Sequence, residues 1–237
     1  MIRFVLSLAV LLPALVIAAP VPKGASARKL SEVYGELTDS QSACECKMVK
    51  GDLLRVTVPT SAPVVEANHP NTAAPLVAKS IEGDFVATVR VSHAFSKTAG
   101  KAEGAKRDTA VAAGLALTVD GDRNAKFAFV HRQQKKDDKW VSNRYAQVMH
   151  RGGGSGSGSG GTTLEEKPVY LRLTRTGDMM KCETSVDGTK WQPFSTLNAK
   201  GFSPVVNIGP TAFQSTDAEY VAEFDQYEVK VVTEEKK

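Results

Sequence analysis

Only 7% of this 237-residue chain is aromatic, with two tryptophans, and it contains three cysteines and four histidines. Each scarcity removes a class of chemistry. His69, His93, His131 and His150 stand far apart, with no i,i+2 or i,i+4 pair, so neither a metal-binding helix nor a Ser/His/Asp or Cys/His set is recognisable. Cys44 and Cys46 with the distant Cys182, and no histidine beside them, match no ordinary zinc spacing. The formal net charge of +4 is spread through both signs, and the basic run 97–107 has no aromatic residue to stack on a base. Nucleic acid is therefore not an expected partner. No apolar run beyond residue 17 approaches the roughly 18 residues of a membrane-spanning helix.

Present at the start are Arg3, an almost wholly apolar stretch over 4–17, and the small pair Ala18-Ala19. That is the pattern of a secretory signal peptide over 1–19, and it implies a secreted or periplasmic protein. Residues 20–29 read as a flexible leader, 30–233 as one domain and 234–237 as a charged tail. In an oxidising compartment the three cysteines read as buried thiols or as one staple. Cys44 and Cys46 share a face of an extended strand and would bridge under strain, so a staple would join one of them to Cys182, with Cys46 and Cys182 the candidate pair.

From residue 168 onward the periodicity is plainest. Val169, Leu171 and Leu173 alternate with Tyr170, Arg172 and Thr174, as on a strand with one buried face. A Thr-Gly-Asp turn, a second strand over 179–186 and the tight turn Asp187-Gly188 follow. Further strands are expected at 53–58, 85–92, 112–119, 126–132, 141–149, 205–208 and 220–232, and a short helical turn at 30–37. About ten strands between Gly-, Pro- and Asp-containing turns predict an all-β, two-sheet antiparallel β-sandwich of jelly-roll type. The Gly/Ser tract 152–161 reads as a flexible hairpin tip within one sheet, and 96–108 as a Lys-rich loop.

An ordered set of motifs carries a resemblance. Gly83-Asp84-Phe85 opens one strand, 113–117 (Ala-Gly-Leu-Ala-Leu) forms the next, and 124–132 follows. Tyr170-Leu171-Arg172-Leu173, the run Ser185 to Trp191, and Ala222-Glu223-Phe224-Asp225 complete it. In these residues, across 35–232, the chain resembles the concanavalin A-like lectin/glucanase superfamily. It is most similar to the bacterial secreted β-sandwich related to the C-terminal domain of β-xylosidases. The resemblance implies a concanavalin A-like, laminin G-like jelly roll and a lectin-like, glycan-contacting module, and it transfers no catalytic residue.

Four constellations are candidates for function. Glu223, Asp225 and Glu228 match the Glu-x-Asp-x-x-Glu spacing of laminarinase-type retaining glycosidases in that superfamily. Apolar positions change register after Phe224, which predicts a β-bulge near Asp225 or Gln226 and all three acids on one outward face. Asp120, Asp122 and Asn124 resemble the start of a calcium loop, but Ala125 stands at the sixth position and His131 at the twelfth; a hairpin turn is preferred, with calcium the alternative. Ser185-x-Asp187-Gly188-x-x-Trp191 reads as a structural turn, with Trp191 packed as core. Trp140 with Asn143, Arg144 and Tyr145 joins a flat apolar ring to planar hydrogen-bonding groups, the combination that holds sugars. The expectation is a non-catalytic module that binds a glycan or another extracellular polymer without a cofactor. The alternatives are a hydrolase using the three acids, and a structural envelope protein with no small ligand.

Overall fold

The computed structural model describes residues 30–38, 44–59, 74–93, 109–120, 123–152, 155–165, 168–216 and 218–232. The proposed signal peptide and leader, the Lys-rich loop and the charged tail lie outside these residues. In chain order the elements are α1 (Leu30–Val33), β1 (Glu36–Thr38), β2 (Glu45–Met48), β3 (Leu54–Val58), β4 (Leu76–Glu82) and β5 (Phe85–His93). Then come β6 (Thr109–Asp120), β7 (Arg123–Lys136), β8 (Lys139–Gly152), β9 (Ser155–Thr163) and β10 (Val169–Thr176). The last are β11 (Met179–Ser185), β12 (Gln192–Asn198), β13 (Val205–Gln214) and β14 (Tyr220–Val231).

These strands form two seven-stranded antiparallel sheets, ordered β1-β4-β13-β6-β7-β8-β9 and β12-β11-β10-β5-β14-β3-β2. The protein is thus an all-β, two-sheet sandwich. Strand alternation builds its centre: Leu171, Leu173, Val89, Phe224 and Leu54 of the second sheet meet Leu115, Leu117, Phe127 and Ile208 of the first, all fully buried. The outward face of the first sheet carries further buried apolar side chains, among them Ala112, Val130 and Phe213. On that face the buried Lys126 ammonium lies 5.1 Å from the Phe213 ring centroid, and burial lowers its pKa to about 8. No helix among the described residues is long and apolar enough to cross a membrane.

Three departures from the sequence reading are instructive. From Ser155 onward the Gly/Ser tract is strand: β9 pairs with β8 from Gly152↔Ser155 to Tyr145↔Thr163 and forms the edge of the first sheet. Glycine and serine are weak strand formers, but an edge strand needs only one partner, and β8 supplies an unbroken template. A Cβ on Gly160 would lie 3.3 Å from the Tyr145 ring, so the tyrosine covers a backbone that has no side chain of its own there.

A second departure is β13, which runs through Gly209-Pro210 to Gln214 instead of stopping at Ile208. Its ladder with β6 is continuous, whereas that with β4 skips from Ile208↔Lys79 to Thr211↔Leu76. Proline, which has no N–H, is tolerated because the gap falls on one side only. The third concerns Cys46 and Cys182, which lie on β2 and β11 with four strands between them. Five inter-strand steps of about 4.8 Å put them on the order of 24 Å apart, far beyond the 7 Å a disulfide spans. No bridge joins them.

Candidate functional site

The outward face of the second sheet carries a cross-strand array of charges and rings. Because β10 alternates, burying Val169, Leu171 and Leu173 presents Tyr170 and Arg172 outward. Arg172 faces Glu183 of β11 and Thr88 of β5; Tyr170 faces Arg90 of β5. Arg172 Nε donates to Glu183 Oε2 at 2.7 Å, and Lys181 Nζ holds the other carboxylate oxygen at 2.7 Å. Burial alone would raise the Glu183 pKa, yet the hydrogen bonds from Lys181 and Arg172 outweigh it and hold the carboxyl below its ordinary value.

The turn after β11 closes over this array. Asp187 Oδ1 accepts the backbone N–H groups of Thr189 and Lys190, each at 2.8 Å, and Ser185 Oγ accepts from Gly188 N at 2.9 Å. These bonds hold the Asp187 carboxyl far below the usual range. Gly188, at φ +74°, packs so closely on Tyr170 that a Cβ would stand 3.0 Å from the ring. The turn therefore delivers Trp191 to the outward face and not to the core. Trp191 is half-buried, meets Tyr170 edge-on with centroids 6.5 Å apart and an interplanar angle of 80°, and lies 4.0 Å from the Arg172 guanidinium.

The bulge expected on β14 is present. Asp225 pairs with Arg90 and Glu228 with Thr88, so Gln226 and Tyr227 together oppose Val89, and Gln226 adopts φ +50°. The Tyr227 ring turns inward, stacks on Tyr34 at 5.3 Å and donates its hydroxyl to the Ile208 carbonyl at 2.7 Å. The Tyr34 hydroxyl lies 2.9 Å from the Phe224 carbonyl oxygen, which fastens the bulge from beneath. Gln226 and Glu228 then border a groove of about 690 Å³, whose other walls include Thr88, Tyr170, Arg172 and Trp191.

Glu223, Asp225 and Glu228 do share the outward face, but they are separately engaged. Arg55 donates Nε and Nη2 to Glu223 Oε1 at 2.9 and 2.6 Å. Arg90 clamps both Asp225 oxygens at 2.6 and 2.5 Å, and that hydrogen bond raises the guanidinium above its ordinary pKa. Glu228 pairs with Lys230 at 2.8 Å in the open. A retaining glycosidase needs two carboxyls facing one another across a shared cleft, whereas each of these three is engaged by a different cation. Only Glu228 borders the groove.

The other sequence candidates do not converge. On β8, Trp140 and Arg144 fall in the row that continues to the core residues Ala146 and Val148, whereas Asn143 and Tyr145 fall on the opposite face with Met149. Trp140 is 40% exposed near the β7–β8 turn, where Asp137 and Asp138 both have positive φ. β6 and β7 pair as far as Asp120↔Arg123, with Asn124 fully buried on β7. Asp122 lies outside the described residues, among which no cluster of three metal-ligating side chains occurs.

Trp191 and Gln226 are the residues that sequence reasoning missed. The Ser-x-Asp-Gly spacing marked the turn that carries the tryptophan, and the register change marked the bulge that carries the glutamine. Neither signal told which face the ring would take.

No family model matches the sequence, and no curated protein matches it. Solved structures do. A functionally unknown protein from Saccharomyces cerevisiae is 13% identical, with 87% of this chain covering 100% of that one at a TM-score of 0.62. The GH43 protein BlXynB of Bacillus licheniformis is 13% identical at a TM-score of 0.58, 82% of this chain covering 36% of that one. A xylan β-1,4-xylosidase of Bacillus halodurans C-125 is 14% identical at 0.51, with coverages of 89% and 41%. The chain therefore spans about two fifths or less of the two Bacillus chains. At these identities what is shared is the β-sandwich fold.

Proposed function

We propose that the protein is an exported, non-catalytic module that binds a glycan chain in the groove on the outward face of its second sheet. The observation that carries this is the setting of Trp191 and Tyr170 beside Arg172, Thr88, Gln226 and Glu228. Aromatic edges and faces pack against sugar C–H surfaces, while planar amide and carboxylate groups pair with hydroxyls. The arginine clamps on Glu223 and Asp225 support binding over hydrolysis. Likeness of fold to modules of xylan-degrading chains agrees with this reading by analogy, since one fold hosts many activities.

Affinity gel electrophoresis with soluble polysaccharides in the gel tests the reading. Retardation is expected for the native protein, and Trp191→Ala should abolish it while the β-type circular dichroism spectrum is retained. Trp140→Ala should leave it intact. Retardation that survives Trp191→Ala and disappears in Trp140→Ala would move the site to the β7–β8 hairpin tip.

A further inference from the structure

The groove is bordered by both signs of charge, but its cations are committed. Arg172 is held by Glu183, and Lys230 by Glu228 at 2.8 Å. Arg90, behind Tyr170, is clamped by Asp225. On the acidic side, Asp187 is occupied with backbone N–H groups of its own turn. A ligand carboxylate or sulfate would have to draw Arg172 or Arg90 from its partly buried partner or be desolvated without one, and both are costly; only the exposed Lys230–Glu228 pair yields readily. Hydroxyl groups face no such barrier.

Gln226 is a polar group with capacity to spare. Its φ of +50° is rare for a side chain of this kind, and the surrounding bulge and tyrosine stack enforce it. Tyr170 donates its hydroxyl to Gln226 Oε1 at 3.3 Å. With the oxygen accepting, the amide nitrogen presents two N–H donors for which the described residues supply no acceptor. A strained backbone that brings an uncommitted amide to the rim of a groove, next to two aromatic rings, suits hydroxyl recognition.

We infer that the groove selects an uncharged glycan chain and reads its hydroxyls through the Gln226 amide. This rests on the binding reading above and adds the ligand's charge class and the residue that discriminates.

The test compares neutral polysaccharides (xylan, laminarin) with polyuronides (alginate, polygalacturonate) in affinity gels at low and high salt, for the native protein, Gln226→Gly and Trp191→Ala. Glycine accepts φ +50° without strain, so Gln226→Gly should melt at the same temperature or higher while neutral-glycan affinity falls about tenfold. Retardation by the neutral chains should be insensitive to salt. Preferential, salt-labile retardation by the polyuronides overturns the inference; if Trp191→Ala abolishes that retardation, the groove still stands as the site. Native affinity in Gln226→Gly overturns it as well. Retardation by neither class overturns both this inference and the binding reading beneath it.

Discussion

The guanidinium carbon of Arg172 lies 4.0 Å from the centroid of the Trp191 ring, and the same guanidinium holds the carboxylate of Glu183 at 2.7 Å. One planar cation thus ties the turn that carries the tryptophan to the strand pair beneath it. Glu183 is only 4% exposed, so its charge depends on this partner and on Lys181.

Replacing Arg172 by lysine keeps a positive charge but removes the plane that stacks and the fork that pairs. Arg172→Lys is expected to cost about 1 kcal/mol, and Arg172→Met about 2–3 kcal/mol, because the methionine leaves Glu183 to Lys181 alone. Urea unfolding followed by tryptophan fluorescence measures both. Equal midpoints for the two variants would show that the ion pair is unimportant.

Acid should unfold the protein in part through Glu183. Its carboxyl is held below the ordinary value of 4.5 in the folded state, so the unfolded chain binds the proton more readily. The resulting stabilisation is fully present above pH 4.5 and is lost as pH falls through the lower, folded value. Asp187, depressed by its backbone hydrogen bonds, acts in the same direction. Glu183→Gln should therefore flatten the acid limb of a stability-against-pH curve, and an unchanged slope below pH 4.5 would contradict this assignment.

Reducing agent should leave the melting temperature unchanged, because no bridge joins Cys46 to Cys182. Burial pushes the Cys182 thiol up to about 12 and leaves the side chain fully enclosed, so it should resist thiol reagents in the native protein and react at once in urea. Rapid native labelling of Cys182, read by mass spectrometry, would mean that the inter-sheet core opens there.

Two glycines should respond very differently to a methyl group. A Cβ on Gly209 would overlap the Val77 carbonyl oxygen and stand 2.8 Å from the Ala78 Cα, both backbone atoms that move only if strands β4 and β13 part. Gly177, in the β10–β11 turn at φ +53°, has nothing within 4 Å. Gly209→Ala is expected to cost about 3 kcal/mol or more, and Gly177→Ala about 1 kcal/mol from backbone strain alone. Thermal melts of the pair check the order.

Much of this architecture is legible in the residues. The alternation in 169–175 announces both the strand and its faces, and the register change after Phe224 announces the bulge at Gln226. Other elements left no such mark. Leu76, Val77 and Ala78 are all buried, because the first sheet covers apolar groups on both faces and β4 does not alternate there. β12 carries Pro193 at an edge, opposite a register shift at Cys182/Glu183, and its pattern is blurred. β9 is a strand by virtue of its neighbour and not of its own composition.

The candidate site divides in the same way. The acids of β14 were placed on the correct face because period-2 geometry and a bulge are local matters, readable within a dozen residues. The groove joins Thr88, Tyr170, Trp191, Gln226 and Glu228, which come from three adjacent strands and a turn spread over some 140 positions of chain. Which strands become neighbours is settled by long-range backbone pairing and by the need to bury one face of each sheet against the other. Alternation along the chain therefore determined that Thr88, Tyr170 and Glu228 face outward, and only the packed sandwich decided that they do so together and that Trp191 joins them.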